Sequence, residues 1–347
     1  MTATPAPLLS ALGLTQPVLA APMAGGPSTP ALVTAAAAAG GMGFLAAGYK
    51  TPQALADEIG VVAGASVPFG VSLFAPNPVP VSRPEFRDYA AAIGAEAARY
   101  GVSLDGAEPV EDDDHWHDKI DVLRATPVPV VSFTFGIPAP DVTAALRRTG
   151  AILVQSVTSP AEAQAAADAG VDALAVQAAA AGGHSATLTP RLPLADVPFA
   201  GLVASVRQAV RLPVIAAGGI AGAADVAAAI GAGAAAVAVG TLLLRADEAG
   251  TSATHRAALA DPARAGTVLT RAFSGRPARG IRNEFTDRYS AVAPYGYPAL
   301  HHLTSPMRRA AAAAGDPERL HLWAGAGYRN ATAEPAAAIL ERLASRL

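Results

Sequence analysis

The segment 212–245, LPVIAAGGIAGAADVAAAIGAGAAAVAVGTLLLR, limits the possible folds more than any other part of this chain. An apolar run at 213–217 closes on Gly218-Gly219. An alanine-rich stretch at 224–230 follows, with Val226 and Ile230 one helical turn apart, and Gly231 and Gly233 stop it. A second apolar run at 235–239 closes on Gly240-Thr241. Two strand-length runs around one helical period predict a parallel βαβ unit. Asp225 falls in the first helical turn, where a negative charge suits the helix dipole. Charged residues are only 15% and mean hydropathy is +0.33, as expected of a parallel sheet covered on both faces.

Glycines at both strand C-termini admit two readings. They either make tight turns and nothing more, or leave main-chain N–H groups open to an anion beside a helix N-terminus. In a (β/α)8 barrel the loops after the last two strands often hold a phosphate. No G-x-G-x-x-G follows a strand, so a Rossmann dinucleotide fingerprint is not the explanation.

The same alternation runs back through the chain. Strands are predicted at 18–21, 43–47, 69–74, 129–133, 151–155 and 173–177, which with the opening unit makes eight. Ser28 or Thr29 before Pro30, Thr51-Pro52 and Ser159-Pro160 read as helix starts, a capping hydroxyl ahead of proline at the first helical position. The count closes as an α/β fold, a (β/α)8 TIM barrel with a small inserted lid. Residues 84–100 look helical, and the acidic segment 105–118 reads as an excursion. After Arg245 the alternation stops, and 251–306 is richer in Arg, Tyr, Phe and Pro. Barrel residues are therefore expected at 1–78, 121–250 and 307–347, and lid residues at 79–120 and 251–306. A helix is expected to start at Ser305-Pro306 and a last one to cover 335–347.

Net charge −3 argues against nucleic acid and anionic membrane as partners. The absence of cysteine removes disulfides, thiolate nucleophiles and Cys-ligated metal centres. The apolar N-terminal stretch lacks a basic flank and is interrupted by Pro17, so a cytoplasmic protein is expected. The residues are compatible with a homo-oligomer without requiring one.

Among residues that carry chemistry, His184 stands out. It follows Gly182-Gly183 just past the sixth strand, on the face where barrel active sites lie. It would act as a base or hydrogen-bond donor, against the alternative of a loop-bracing histidine. Gln177 ends the same strand and either presents its amide to a heteroaromatic ring edge or braces the loop. Ser72 on strand three either reaches the mouth or is a core hydroxyl. Lys50 lies beside a helix start and is expected to be solvated, not a Schiff-base lysine. Glu111, Asp112, Asp113, Asp114, His115 and His117 carry metal-like letters, but adjacent carboxylates do not converge on one point unaided. His301, His302 and His321 lack companions at ligand spacing, so no metal is expected. Phe273, Phe285, Tyr289, Tyr295 and Tyr297 either wall a pocket or pack the lid, and Arg271, Arg276, Arg279 and Arg282 read as structural.

Taken in order, the pieces APMAGGPSTPALVTAAAAAGGMGFLAAGY, FGVSLF, VVSFTFG, VQAAAAGGHSA, PVIAAGGIAGAADVAAAIGAGAAAVAVGT, TRAFSGRPARGIRN, YPALHHLTSPMRRAAAAAGD and LWAGAG cover nearly the whole chain. Together they resemble the nitronate monooxygenase (formerly 2-nitropropane dioxygenase) family of FMN barrels. The resemblance implies that Met23 and Ala24 pack near the flavin ring and that Gln177 bonds its edge. Gly182 and Gly183, Gly218 and Gly219, and the turn Ala238, Val239, Gly240, Thr241 would line the ribityl phosphate. His184 would be the active-site histidine. Three positions depart from the family pattern: Ser72 replaces an amide, Ala180 replaces a glutamate before AGGH, and Ala238 stands where the family often has a polar residue. The implied activity is oxidation of alkyl nitronates, or nitroalkanes, by O2 to a carbonyl compound and nitrite or nitrate. The alternatives are an FMN- and NAD(P)H-dependent reductase of the enoyl-ACP reductase type, and a flavin-binding barrel without turnover.

Overall fold

The computed structural model describes residues 6–347. The first five residues of the barrel segment expected at 1–78 lie outside the described residues. The strands are β1 (Val18–Ala20), β2 (Gly43–Ala46), β3 (Phe69–Phe74), β4 (Val130–Thr134), β5 (Ile152–Val157), β6 (Ala173–Gln177), the two-residue β7 (Gly183–His184), β8 (Val214–Ala217) and β9 (Ala236–Val239). All but β7 form a closed, all-parallel barrel in the order β1-β2-β3-β4-β5-β6-β8-β9. It closes where β9 pairs with β1, Leu19 opposite Ala238. The fold is thus a (β/α)8 TIM barrel, and every strand lies within about two residues of its place in the sequence pattern.

The helices form where the capping chemistry puts them. They are α1 (Ala6–Ala11), α2 (Pro30–Ala38), α3 (Pro52–Gly64), α4 (Arg83–Ala98), α5 (Trp116–Ala125), α6 (Pro140–Arg147), α7 (Pro160–Asp168), α8 (Phe199–Ala209) and α9 (Ala223–Gly231). Thr29, Thr51 and Ser159 each accept a backbone N–H from the first turn of α2, α3 and α7 with proline at the first position. In α9 the Asp225 carboxylate accepts the N–H of Ala221 at 2.8 Å.

Inside the barrel, large residues fill the N-terminal end. Leu19, Phe44, Val130, Val154 and Ile215 pack there against Leu8, Leu9, Leu12 and Leu14. The apolar N-terminal stretch therefore plugs the barrel floor. Towards the C-terminal end the inward residues become small, Ala46, Ser72, Ser132, Ser156, Ala175, Ala217 and Ala238, and a cavity opens.

The chain after β9 comprises α10 (Ala253–Ala260), β10 (Thr267–Thr270), β11 (Ala278–Ile281), α11 (Glu284–Tyr289), α12 (Ala299–Ala313) and α13 (Ala336–Ala344), the last of which returns to pack on the barrel through Ile339, Leu340 and Leu343. β10, β11 and β7 form a small antiparallel sheet. Phe86, Tyr89 and Ile93 of α4 share one core with Phe273, Phe285, Leu300, Leu303 and Met307. The Tyr89 hydroxyl donates to Ala272 O.

Two boundaries differ from the sequence reading. α12 begins at Ala299, six residues before Ser305, and runs through Pro306. Leu300, Leu303, Thr304 and Met307 form a buried stripe that holds the helix together across the proline. α5 starts at Trp116, inside the acidic segment, because Trp116, Ile120 and Leu123 pack on the outer face of the barrel. Among the described residues no helix is long and apolar enough to cross a membrane.

Candidate active site

The cavity at the C-terminal end of the strands has a volume of about 550 Å³. One wall is main chain. Gly218 and Gly219 have φ of +85° and +84°, a conformation that L side chains rarely adopt. A Cβ on Gly218 would lie 2.8 Å from Ala178 O. Gly218 and Gly219 follow β8 and Gly240 follows the neighbouring β9, and none of the three N–H groups has a protein acceptor among the described residues. Gly182 faces the chain at 324–325 so closely that a Cβ there would meet Gly325 N at 2.5 Å. Gly325 N donates to Thr241 Oγ1 at 2.8 Å, which roofs this end. Main-chain N–H groups that line a cavity without protein acceptors can take an anion, so an anionic ligand fits the cradle.

The base of the cavity is flat and small. Met23, Ala24, Ala175, Ala217, Ala238, Val239 and the hydroxyl residues Ser72, Ser132, Thr134 and Ser156 line it. Ser72 and Ser132 sit opposite one another in the β3–β4 register, and neither hydroxyl has a side-chain or main-chain partner. Gln177 also lines the cavity, and its amide is partly engaged. Oε1 accepts Ala186 N at 2.8 Å and Nε2 donates to His184 O at 3.2 Å, which leaves one N–H for a ligand. The loop-bracing reading of Gln177 thus holds, and one N–H of the amide is left over.

His184 is placed by β7, which pairs with β11 through Ala278. Its Nε2 lies 2.8 Å from Ser274 Oγ, and that hydroxyl donates to Arg276 O at 3.3 Å. This chain of donors assigns the ring proton to Nε2 and leaves Nδ1 as an acceptor. Phe135, Tyr297 and Trp323 surround the imidazole with ring centroids 5.7, 5.6 and 5.4 Å away. Burial, with the nearby charges of Arg276 and Arg308, pulls its pKa down to about 3. The ring is neutral at pH 7.

The acidic segment has a structural use. Asp114 Oδ1 accepts Tyr49 N at 2.9 Å, and Asp114 Oδ2 pairs with buried Lys119 at 2.7 Å. Asp112 pairs with His302 at 2.8 Å. These contacts fix Tyr49, which stacks on His301 with centroids 4.2 Å apart and planes 2° from parallel. Lys50 is half-buried and paired with Glu58, not free in solvent as expected. Of these five aromatics Phe273 lines the cavity, Tyr297 packs on the His184 ring, and Phe285 and Tyr289 pack against each other with tilted rings. Tyr295 lies under the Arg191 and Arg271 guanidinium groups. Arg276 is fully buried over the Phe135 ring and donates to Thr187 O, Arg279 donates to Ala179 O, and Arg282 pairs with Asp287.

Three residues of the site, Ser274, Arg308 and Trp323, escaped the sequence reading, and His321 figures in it only as a candidate metal ligand. The four converge on His184 and its neighbours from distant parts of the chain. No local spacing marks them, because the lid brings them together only in three dimensions.

Comparison with known proteins agrees with this geometry. The family model described as nitronate monooxygenase matches residues 6–345. The chain is 36% identical to a "Probable nitronate monooxygenase" of Staphylococcus aureus (strain Newman), covering 98% of this chain and 96% of that protein. Among solved structures it resembles nitroalkane oxidase from Streptomyces ansochromogenes, with TM-score 0.90, 44% identity and 97% coverage of both chains. FabK from Thermotoga maritima is more distant, with TM-score 0.75, 26% identity, and 97% and 94% coverage. The chain belongs to the nitronate monooxygenase family and is a flavin-type oxidoreductase.

Proposed function

We propose that the cavity binds FMN and that the protein oxidises alkyl nitronates with O2 to a carbonyl compound and nitrite or nitrate. The observation that carries this reading is one cavity with two ends. Open amides of Gly218, Gly219 and Gly240 suit a phosphate, and a neutral, half-buried His184 faces the same space. Gly182, Gly183 and the turn Ala238, Val239, Gly240, Thr241 would hold the phosphate end. Met23 and Ala24 would pack on the ring, and Ser72 and Gln177 would bond its edge. The free Ser72 hydroxyl would stand in for the family's amide. FMN held there would supply the electron-accepting group that an electron-rich nitronate and O2 require.

The protein's own part is to bind, orient and dry. His184, with Nε2–H committed to Ser274, would receive the α-proton on Nδ1 where a neutral nitroalkane is used. Phe135, Phe273 and Trp323 would exclude water around a short alkyl chain. We assign 79–120 and 251–306 to the lid that supplies these walls, and 1–78, 121–250 and 307–347 to the barrel. The test is the absorbance spectrum of the purified protein, followed by oxygen uptake with propionate 3-nitronate. A flavin spectrum and nitronate-dependent uptake are expected. A colourless protein that refuses added FMN ends the proposal. Anaerobic bleaching of FMN by NAD(P)H and not by nitronate replaces it with the reductase.

A further inference from the structure

We propose that Arg308 is the anion anchor of the substrate site, the residue that selects a planar, two-oxygen monoanion over its neutral counterpart. The proposal rests on the reading of the cavity given above.

Arg308 lies on α12, is only 6% exposed, and lines the cavity. No carboxylate pairs with it among the described residues, and no Asp or Glu lines the cavity at all. Its guanidinium is instead held by neutral partners. Nε donates to Thr304 Oγ1 at 3.1 Å, Nη2 to His301 O at 3.0 Å, and Nη1 contacts the His321 ring at 3.1 Å. These bonds position the charge without neutralising it. A buried cation with no counter-ion is costly and calls for an anion from outside.

The neighbourhood shows which anion. Arg308 touches His301, which stacks on Tyr49 and faces Tyr297, and Tyr297 packs against His184. The charge of Arg308 is one of the causes that hold His184, His301 and His321 neutral. The guanidinium therefore belongs to the His184 end of the cavity, and none of its bonds goes to the glycine cradle. Thr304, His301 and His321 take most of its N–H groups, so Arg308 offers its charge and a remaining Nη N–H to one oxygen of a nitronate or a carboxylate, both planar two-oxygen monoanions. Arg276 does not compete for this role. It sits against Phe135 with Nη1 and Nη2 on main-chain oxygens, and it does not line the cavity.

The test uses the FMN-loaded protein with butyrate, a carboxylate the shape of a short nitronate, and butyramide, its neutral counterpart. Binding is read as a perturbation of the flavin absorbance, independent of turnover. Butyrate is expected to bind and butyramide not. Arg308→Met is expected to weaken butyrate at least ~10-fold and to raise the KM for ethyl nitronate similarly, leaving the KM for nitroethane within about threefold. Arg308→Lys keeps the charge and should recover part of the loss. If Arg308→Met does not fold, Arg308→Lys and Arg308→Gln make the same comparison. Unchanged butyrate affinity in the folded variants, equal loss for both ligands, or no butyrate binding to the wild type overturns the proposal. So does loss of FMN from Arg308→Met with the fold retained, which would assign the charge to the phosphate. Butyrate binding that depends on Arg308 in a protein without nitronate turnover would uphold the anchor while the proposed reaction fails. Turnover insensitive to Arg308 would do the reverse.

Discussion

A histidine that stays neutral across the working pH range has a different use from one that titrates within it. Burial among Phe135, Tyr297 and Trp323 and the fields of Arg276 and Arg308 put His184 near 3 in the free protein. kcat/KM reports the free enzyme, so an acid limb caused by His184 falls near pH 3, not near 6.5. With the substrate's own protonation corrected for, kcat/KM for a nitronate should stay flat from pH 8 to pH 6. A limb near 6.5 that disappears in the His184 variant would show that the ring is more solvated than its aromatic cage implies. His184→Asn keeps a hydrogen-bonding side chain of similar size but loses the basic nitrogen. It should leave FMN bound and lower turnover by about 100-fold or more. Wild-type rates in that variant would remove the imidazole from the mechanism. Ala180, where the family has a glutamate, adds no carboxylate beside this ring, which fits the absence of acidic side chains from the cavity wall.

At the scale of elements, the turn between β8 and α9 links backbone conformation to ligand binding. Gly218 needs a positive φ, and even a methyl group would press on Ala178 O and Ala181 N at 2.8 and 2.9 Å. Gly150, after α6, has φ of +89°, and a methyl group there would meet nothing within 4 Å, so it isolates the conformational term. Gly150→Ala should cost about 1–2 kcal/mol and leave flavin content unchanged. Gly218→Ala adds a main-chain clash beside two open amides, so it should also weaken FMN binding at least ~10-fold, read by quenching of flavin fluorescence. Equal flavin affinity in the two variants would mean that the turn only shapes the chain. Glycine freedom is used in two ways in one fold: a helix stop at Gly150 and, if the variants differ as expected, a ligand seat at Gly218.

For the whole molecule, the barrel was legible because its signals are local. Thr29-Pro30, Thr51-Pro52 and Ser159-Pro160 cap their helices through bonds spanning three residues, and the strand-ending glycines lie next to the strands they end. The lid was less legible. α12 contains Pro306, a local stop signal that packing of Leu300, Leu303 and Met307 overrides, and Arg308 and His321 meet only through that packing. The same packing gathers four histidines, His184, His255, His301 and His321, in one buried region, and this has a consequence for stability. Burial lowers His184 to about 3 and His255 to about 4, and holds His301 and His321 well below 6.5. Each folded-state pKa is thus below that of the unfolded chain, about 6.5, and between the two values the unfolded state binds more protons. Stability is then full above pH 6.5 and falls as the pH drops towards 4, by up to ~1.4 kcal/mol per pH unit for each histidine within its window. The urea midpoint should be lower at pH 5 than at pH 7, with little change from pH 7 to 8. Replacing His321 by Gln should flatten the acid slope by up to one proton. Equal stability at pH 5 and pH 7 would mean that the four rings accept protons in the folded protein, and that the lid admits more water than its packing implies.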